Sequence, residues 1–407
     1  MSDTREYERT HPWIGFRLDL RRASSSLWMN LGAIQSKCEH VAHVMVPVDV
    51  GRRLHAIYLA KGVRATTAIE GNTLSEEEVR RRIRTREPLP KSREYLGQEV
   101  DNIVDTCNEL ADEMIEKGLD STITAERIMH FNKMVLRNLQ LHKEVMPGII
   151  RVHGVGVARY RGAPAADCEY LLRRTCEWIN GLQPDSADNR IAYAVLRGAL
   201  LHLYLAWIHP FGDGNGRTAR LAEVQILLGA GVPMVAAHLL SNHYNQTRDE
   251  YYRQLSAASQ SGDVLPFLEY AVQGFTDGLH QQILHIRRFQ RTLAWKDYVY
   301  ERFRGQKTEA SHRQRQIALE LARYGSKGVN VSQIRTLNTE LAALYAKKTP
   351  KTITRDLNKL VQMKLVARRG ARGARVYARE DILKMFLPRR RKGDWPHFLE
   401  LRKPSST

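Results

Sequence analysis

Twelve consecutive residues concentrate the polar chemistry of this 407-residue chain: His209-Pro210-Phe211-Gly212-Asp213-Gly214-Asn215-Gly216-Arg217-Thr218-Ala219-Arg220. They suit a phosphate. Gly214 and Gly216 lack side chains, so successive backbone N–H groups can turn inward and cradle anionic oxygens at the start of a following helix. Asn215 adds a side-chain donor. Arg217 and Arg220 stand three apart, hence on one helix face, where both guanidinium forks can reach one polyphosphate. Asp213 offers a hard carboxylate oxygen to a magnesium ion that would also take phosphate oxygens. His209, at the loop mouth, is the candidate general base. Each residue alone has an ordinary reading: a satisfied core histidine, a plain glycine turn, an Asp cap with an ion pair. Their convergence within one loop favours the phosphate site.

In this order the residues resemble the Fic family signature, H-x-F-x-D/E-G-N-G-R-x-x-R, matched at His209, Phe211, Asp213, Gly214, Asn215, Gly216, Arg217 and Arg220. The resemblance extends over roughly residues 46–275. It implies a helical core that transfers AMP from ATP to a hydroxyl of a target protein, itself included, with pyrophosphate leaving. By the same resemblance His209 deprotonates the hydroxyl, Asp213 holds Mg²⁺, Gly214-Asn215-Gly216 form the anion hole, Arg217 and Arg220 grip phosphates, and Phe211 anchors the loop in the core. A flap within 148–164, glycine-punctuated and β-branched, reads as a short hairpin, and in the family such a flap holds an extended target segment as an added strand. Tyr251 and Tyr252 match a helix that helps wall the base pocket, with Tyr252 assigned to the nucleotide. Ser259 stands where relatives can carry Asn, so the preferred base stays open.

A second match lies upstream. Thr66-Thr67-Ala68-Ile69-Glu70-Gly71 resembles the family's inhibitory motif, S/T-x-x-x-E-G/N, in its N-terminal form. Thr66 and Glu70 are four apart on one helix face, and the resemblance pairs Glu70 with Arg220 in the place of the ATP γ-phosphate. A carboxylate and a phosphate oxygen then compete for one guanidinium, and ATP binds out of line with the hydroxyl. Ser75 and Glu78 spell a capping box for the next helix.

The elements that must position these residues are mainly helical. Apolar residues recur at helical spacing over Arg52–Thr67, Glu99–Lys117, Arg190–Trp207 and Thr218–Leu228. The expected division is an N-terminal helical region over 1–115 with the inhibitory helix near 60–71, a catalytic core over 116–285 with its signature loop at 209–220, a linker helix over 286–308, a winged helix-turn-helix over 309–387 and a basic tail over 388–407. For the winged helix the pattern gives three helices, Arg313–Tyr324, Val331–Ala346 and Thr352–Lys364, then strands Leu365–Arg369 and Ala374–Tyr377. Lys348, Lys351, Arg355 and Lys359 would meet DNA phosphates, Thr352, Thr354 and Asn358 would face base edges, and Arg368, Arg369, Arg372 and Arg375 would load the wing. The charge supports a polyanion there: residues 301–407 carry 26 basic and 9 acidic residues, a net +17 of the whole chain's +19.

Composition excludes other classes. At 43% hydrophobic and 26% charged the chain is globular, and its four cysteines, Cys38, Cys107, Cys168 and Cys176, lack CxxC spacing and read as free buried thiols rather than a disulfide or zinc framework. No signal-like stretch opens the chain and by this reading no apolar run approaches the ~20 residues of a membrane helix, so the expectation is a cytoplasmic protein, without membrane contact, that can form a homodimer. Two other functions compete with AMP transfer. One is a DNA-binding transcriptional regulator that uses the Fic domain as a nucleotide sensor, against which the intact His209 argues. The other is an enzyme that also removes AMP, with Glu70 positioning water.

Overall fold

A computed structural model describes residues 5–383 apart from 119, 158–159 and 371–373. Arg372 and the tail over 388–407 thus lie outside the described residues. The chain divides into two compact units, Met1–Ile283 and Leu284–Thr407.

The first unit is built from helices α1 (Glu6–Thr10), α2 (Ser25–Ala42), α3 (Val48–Ala68), α4 (Glu76–Thr85), α5 (Glu94–Glu116), α6 (Ala125–Val135), α7 (Cys168–Gly181), α8 (Arg190–Ile208), α9 (Asn215–Gly229), α10 (Leu239–Gln246) and α11 (Arg248–Ser261), and α12 (Leu265–Arg302) begins in it. Residues from 7 to 279 share one hydrophobic core, so the described residues of the N-terminal stretch up to 115 pack with those of the segment that follows rather than standing apart. The linker helix expected over 286–308 is not a separate element: it is the later part of α12, which starts at Leu265 and ends at Arg302.

α8 is the axis of this core. Its apolar residues include Leu196, Leu200, Leu203 and Trp207, all buried, each Leu contributing about 1.5–3 kcal/mol by leaving water. The apolar window ending at Ile208 is long enough to cross a membrane, contrary to the sequence expectation, but 89% of it is buried inside the protein. α9 packs beside α8, and the loop joining them carries the signature residues. Ser75 and Glu78 form the expected capping box of α4. The flap is shorter than the sequence suggests: β1 (Gly156–Val157) and β2 (Tyr160–Arg161) pair antiparallel over two residues each.

The second unit has its own core, with Trp295, Ile317, Leu341, Leu357 and Val376 buried in it. Its elements are α13 (Glu309–Leu321), β3 (Val329–Asn330), α14 (Thr339–Tyr345), α15 (Pro350–Gln362), β4 (Val366–Arg369) and β5 (Arg375–Ala378), the strands forming one antiparallel sheet in the order β3-β5-β4. The helix expected over Val331–Ala346 is divided. A 3₁₀ segment ends at Thr336, and Asn338 then caps α14 by accepting from the Leu341 N–H at 2.7 Å, a role that short polar side chains fill better than helix interiors. Buried Asp356 accepts from Arg313 Nε (3.1 Å), Gln314 Nε2 (2.8 Å) and the Tyr345 hydroxyl (2.7 Å), which fastens α13, α14 and α15 together.

Candidate functional site

Two left-handed residues bound the signature loop. His209 ends α8 at φ 50°, ψ 59°, and Gly214 precedes α9 at φ 75°, ψ 8°. The first is strained for a residue with a Cβ, so the surroundings must hold it. Arg151 does so: buried, it donates from Nε to His209 O (2.7 Å), from Nη1 to His153 O (2.7 Å) and from Nη2 to Ala163 O and Ile208 O (3.3 Å). Its backbone N–H reaches Pro210 O at 3.0 Å. Gly162 makes this approach feasible, since a Cβ there would lie 2.9 Å from His209 Cβ. On the other side Asn132, fully buried, donates to Asp213 O (2.9 Å) and accepts from the Gly148 N–H (2.9 Å). Neither Arg151 nor Asn132 was legible as functional; each sits in an apolar context where one polar residue carries no motif.

The loop's own residues divide the work differently from the sequence reading. Asn215 does not aim its amide at an anion. Its Nδ2 donates to Phe211 O (2.8 Å) and its Oδ1 accepts from the Phe211 N–H (2.9 Å), which fixes the buried Phe211 and closes the loop. What remains for an anion is backbone: the first-turn N–H groups of α9, at Asn215, Gly216 and Arg217, have no acceptor within the helix. Asp213 Oδ1 accepts from the Gly214 N–H and, at 3.3 Å, from Arg217 Nη2, while the side chain stays half exposed. A single accessible carboxylate suits a magnesium ion completed by phosphate oxygens and water. Among the described residues no cluster of three or more His, Cys, Asp or Glu could hold a metal.

Glu70 reaches this cradle. Its Oε1 lies 2.5 Å from Arg220 Nη2, which also donates to the Thr66 carbonyl at 3.0 Å, so Thr66 takes part through its backbone. A Cβ on Gly216 would collide with Glu70 Oε1, which places the carboxylate against the first turn of α9 where an anion would sit. Burial alone would raise the Glu70 carboxyl, but the Arg220 and Arg217 guanidiniums outweigh it and hold the group below the usual carboxylate range. Arg217 pairs with Glu99 Oε1 at 3.0 Å, a carboxylate no motif pointed to. Nε and Nη1 of Arg220 and Nε of Arg217 are buried without an acceptor, and such orphaned donors mark a place for an anion.

Burial lowers the His209 imidazole to about 4, with Arg151 adding to the effect against a hydrogen bond to the Ala206 backbone and the charges of Glu70 and Asp213. The ring is therefore neutral at physiological pH and able to accept a proton. Tyr252 is 41% exposed beside Arg248, whereas Tyr251 is buried with its hydroxyl 2.7 Å from His202 Nε2. Tyr251 is thus a packing residue, and Tyr252 is the accessible one.

In the second unit Lys351, Arg355, Asn358, Lys359, Arg368 and Arg369 are all exposed. Two expected contacts are already engaged: Asn358 Oδ1 accepts from Arg368 Nη2 at 2.7 Å, and Arg375 donates to Lys327 O (3.1 Å) and Gly328 O (2.9 Å).

Known proteins resemble this chain in sequence and in fold. The sequence model described as Fic/DOC family matches residues 122–227, which hold the flap segment, α8, the signature loop and most of α9. A protein adenylyltransferase fic-1 of Caenorhabditis briggsae is 29% identical over 245 residues, 59% of this chain and 43% of that protein. A protein adenylyltransferase Fic of Nematostella vectensis is 29% identical over 208 residues, 51% of this chain and 45% of that protein. The chain thus spans less than half the length of these relatives. A solved Fic family protein from Desulfovibrio desulfuricans G20 superposes with a TM-score of 0.54 at 21% identity, over 85% of this chain and 91% of that one. Fic-1 from C. elegans does so at 0.51 and 24%, over 64% and 73%. These two likenesses concern the fold.

Proposed function

We propose that the chain is a protein adenylyltransferase that moves AMP from ATP to a hydroxyl side chain of a protein, itself included, and that Glu70 restrains it. The observation that carries the reading is the Glu70 carboxylate seated on Arg220 and the first turn of α9, within a cradle where Nε and Nη1 of Arg220 and Nε of Arg217 have no acceptor. In the reaction neutral His209 takes the proton of the acceptor hydroxyl as its oxygen attacks the α-phosphorus. The bond from that phosphorus to the oxygen bridging to the β-phosphate breaks, and pyrophosphate leaves with the electron pair. The α9 N–H groups and Arg220 stabilise charge on the phosphates. Asp213 would hold Mg²⁺, which supplies charge neutralisation on phosphate oxygens. Glu70 on Arg220 excludes the γ-phosphate, so ATP seats out of line until the carboxylate yields.

The test is ATP labelled on either its α- or its γ-phosphate, incubated with the chain and Mg²⁺. Protein-bound label from the α position alone is the expected result. Label from the γ position alone would make the chain a kinase and sink the proposal.

A second proposal concerns the C-terminal unit, which we read as a winged helix that binds duplex DNA. The exposed row Lys351, Arg355 and Lys359 on α15, beside Arg368 and Arg369 on β4, favours it over a protein adaptor.

A further inference from the structure

The turn that carries Glu70 is tied to both signature arginines. Glu70 meets Arg220 directly. Two residues on, buried Asn72 donates from Nδ2 to Glu99 Oε2 at 2.8 Å and to Leu96 O at 3.0 Å, while its Oδ1 accepts from the Leu74 N–H at 3.0 Å. The other oxygen of Glu99 accepts from Arg217 Nη1 at 3.0 Å. One carboxylate on α5 therefore joins the arginine at the start of α9 to the segment that bears the brake. We propose that Glu99 is a positioning residue that couples the occupancy of Arg217 to the seating of Glu70, an inference that rests on the restrained transfer proposed above.

The coupling follows from competition for donors. Arg217 is 6% exposed in its side chain, and the N–H of Nη1 that points at Glu99 cannot at the same time point at a phosphate. A polyphosphate that draws Arg217 away leaves Glu99, itself only 17% exposed, with the neutral Asn72 amide as its remaining named donor. A carboxylate so placed gains by moving toward water or toward a new cation, and Asn72 and the turn are freed with it. Conversely, while Glu99 holds Arg217 and Asn72 together, the turn stays fixed and Glu70 remains on Arg220. By linkage, whatever loosens the Asn72 tie strengthens the competing anion by the same factor.

Glu99→Gln is the informative variant. It keeps the shape but offers one acceptor and one donor where two donors face it, so one of the two ties is lost. The test is a double-mutant cycle on the full chain with Glu99→Gln, Glu70→Gly and both, reading ATP affinity by calorimetry and transfer of α-phosphate label, with thermal melts to verify folding. With Glu70 present, Glu99→Gln is expected to raise transfer by about fivefold or more, and that factor should shrink at least about fivefold when Glu70 is absent. Asn72→Ala cuts the same tie without touching Arg217 and should also raise transfer when Glu70 is present. Equal Glu99→Gln factors in both backgrounds, or no gain from Asn72→Ala, would overturn the coupling. If no variant transfers label, the proposed activity fails, and the ATP-affinity cycle still reads the coupling: a Glu99→Gln effect on affinity that does not depend on residue 70 overturns it.

Discussion

As the proposed base, His209 would have to be unprotonated, and burial supplies that condition by holding its imidazole near 4. Replacing it by Ala should abolish transfer while ATP still binds, because the base acts on the acceptor hydroxyl and not on the nucleotide. A parallel loss of ATP affinity, measured by calorimetry, would make the residue structural. The pH profile follows from the same lowering. In kcat/KM, activity should persist as pH falls through the ordinary histidine range near 6.5 and decline only toward about 4. The sign for stability agrees: the unfolded chain binds the imidazole proton more readily than the folded one, so this residue adds stability as pH rises from about 4 to about 6.5. Glu70 has the same sign, since its folded value is also lowered and the unfolded chain again binds the proton more readily. Its depressed carboxyl keeps the Arg220 pair intact above its unfolded value and loses it only as pH falls through the lower folded one. At this scale the signature was legible because its residue types have few other reasons to stand together. Glu99 and Arg151 were not, because a lone Glu or Arg in a helical or extended stretch has the same sequence whether it faces water or a site.

The loop between α8 and α9 is held by elements that are remote in sequence, and the flap segment matters as much as the helices. Arg151→Met would take the guanidinium donor from the carbonyls of His209 and Ala163, while Ile208 O keeps the Ala163 N–H, and should cost about 2 kcal/mol or more in denaturant unfolding, given about 1–3 kcal/mol per buried unsatisfied group. Gly162→Ala should be milder for stability and pointed for function. Its Cβ would press on His209, so transfer by the Glu70→Gly form should fall while ATP affinity changes less. Helical periodicity located α3, α5, α8 and α9 to within a few residues, since an amphipathic or fully apolar period survives any tertiary setting. It failed at Val331–Ala346, where the apolar spacing runs through Asn338 but the cap ends one element and starts another. The hairpin was legible as a break in that period, and its two-residue pairing was not, because strand length is set by the partner.

The division of charge between the two units was plain in the sequence, since a +17 segment following a nearly neutral one needs no contact map to be seen. Whether Asn358 or Arg375 is available to DNA was not, because both are spent on neighbours that only the fold brings close. Accordingly the full chain should bind duplex DNA with an affinity that falls steeply with salt, and Ala at Lys351, Arg355, Lys359 and Arg369 should weaken binding across sequences and flatten that slope in fluorescence anisotropy. No binding at low salt would hand the basic surface to an acidic protein partner. In the first unit the proposed restraint rests on a contact of 2.5 Å between residues 150 apart in sequence, Glu70 and Arg220. Removing Glu70 leaves a guanidinium that is 1% exposed with the Thr66 carbonyl but without its carboxylate. The Glu70→Gly chain should melt lower, by about 1–3 kcal/mol of stability because Glu70 is a third exposed and water can partly take its place, and ATP should restore more of that loss than it adds to the unaltered chain. The most direct measurement is protein-bound label from α-labelled ATP with Mg²⁺, compared between the unaltered chain and Glu70→Gly under identical conditions. A rise of at least about tenfold in the variant, abolished by adding His209→Ala, is the predicted result. Equal labelling of the two, with equal ATP affinity, would contradict the restraint on which the whole account depends.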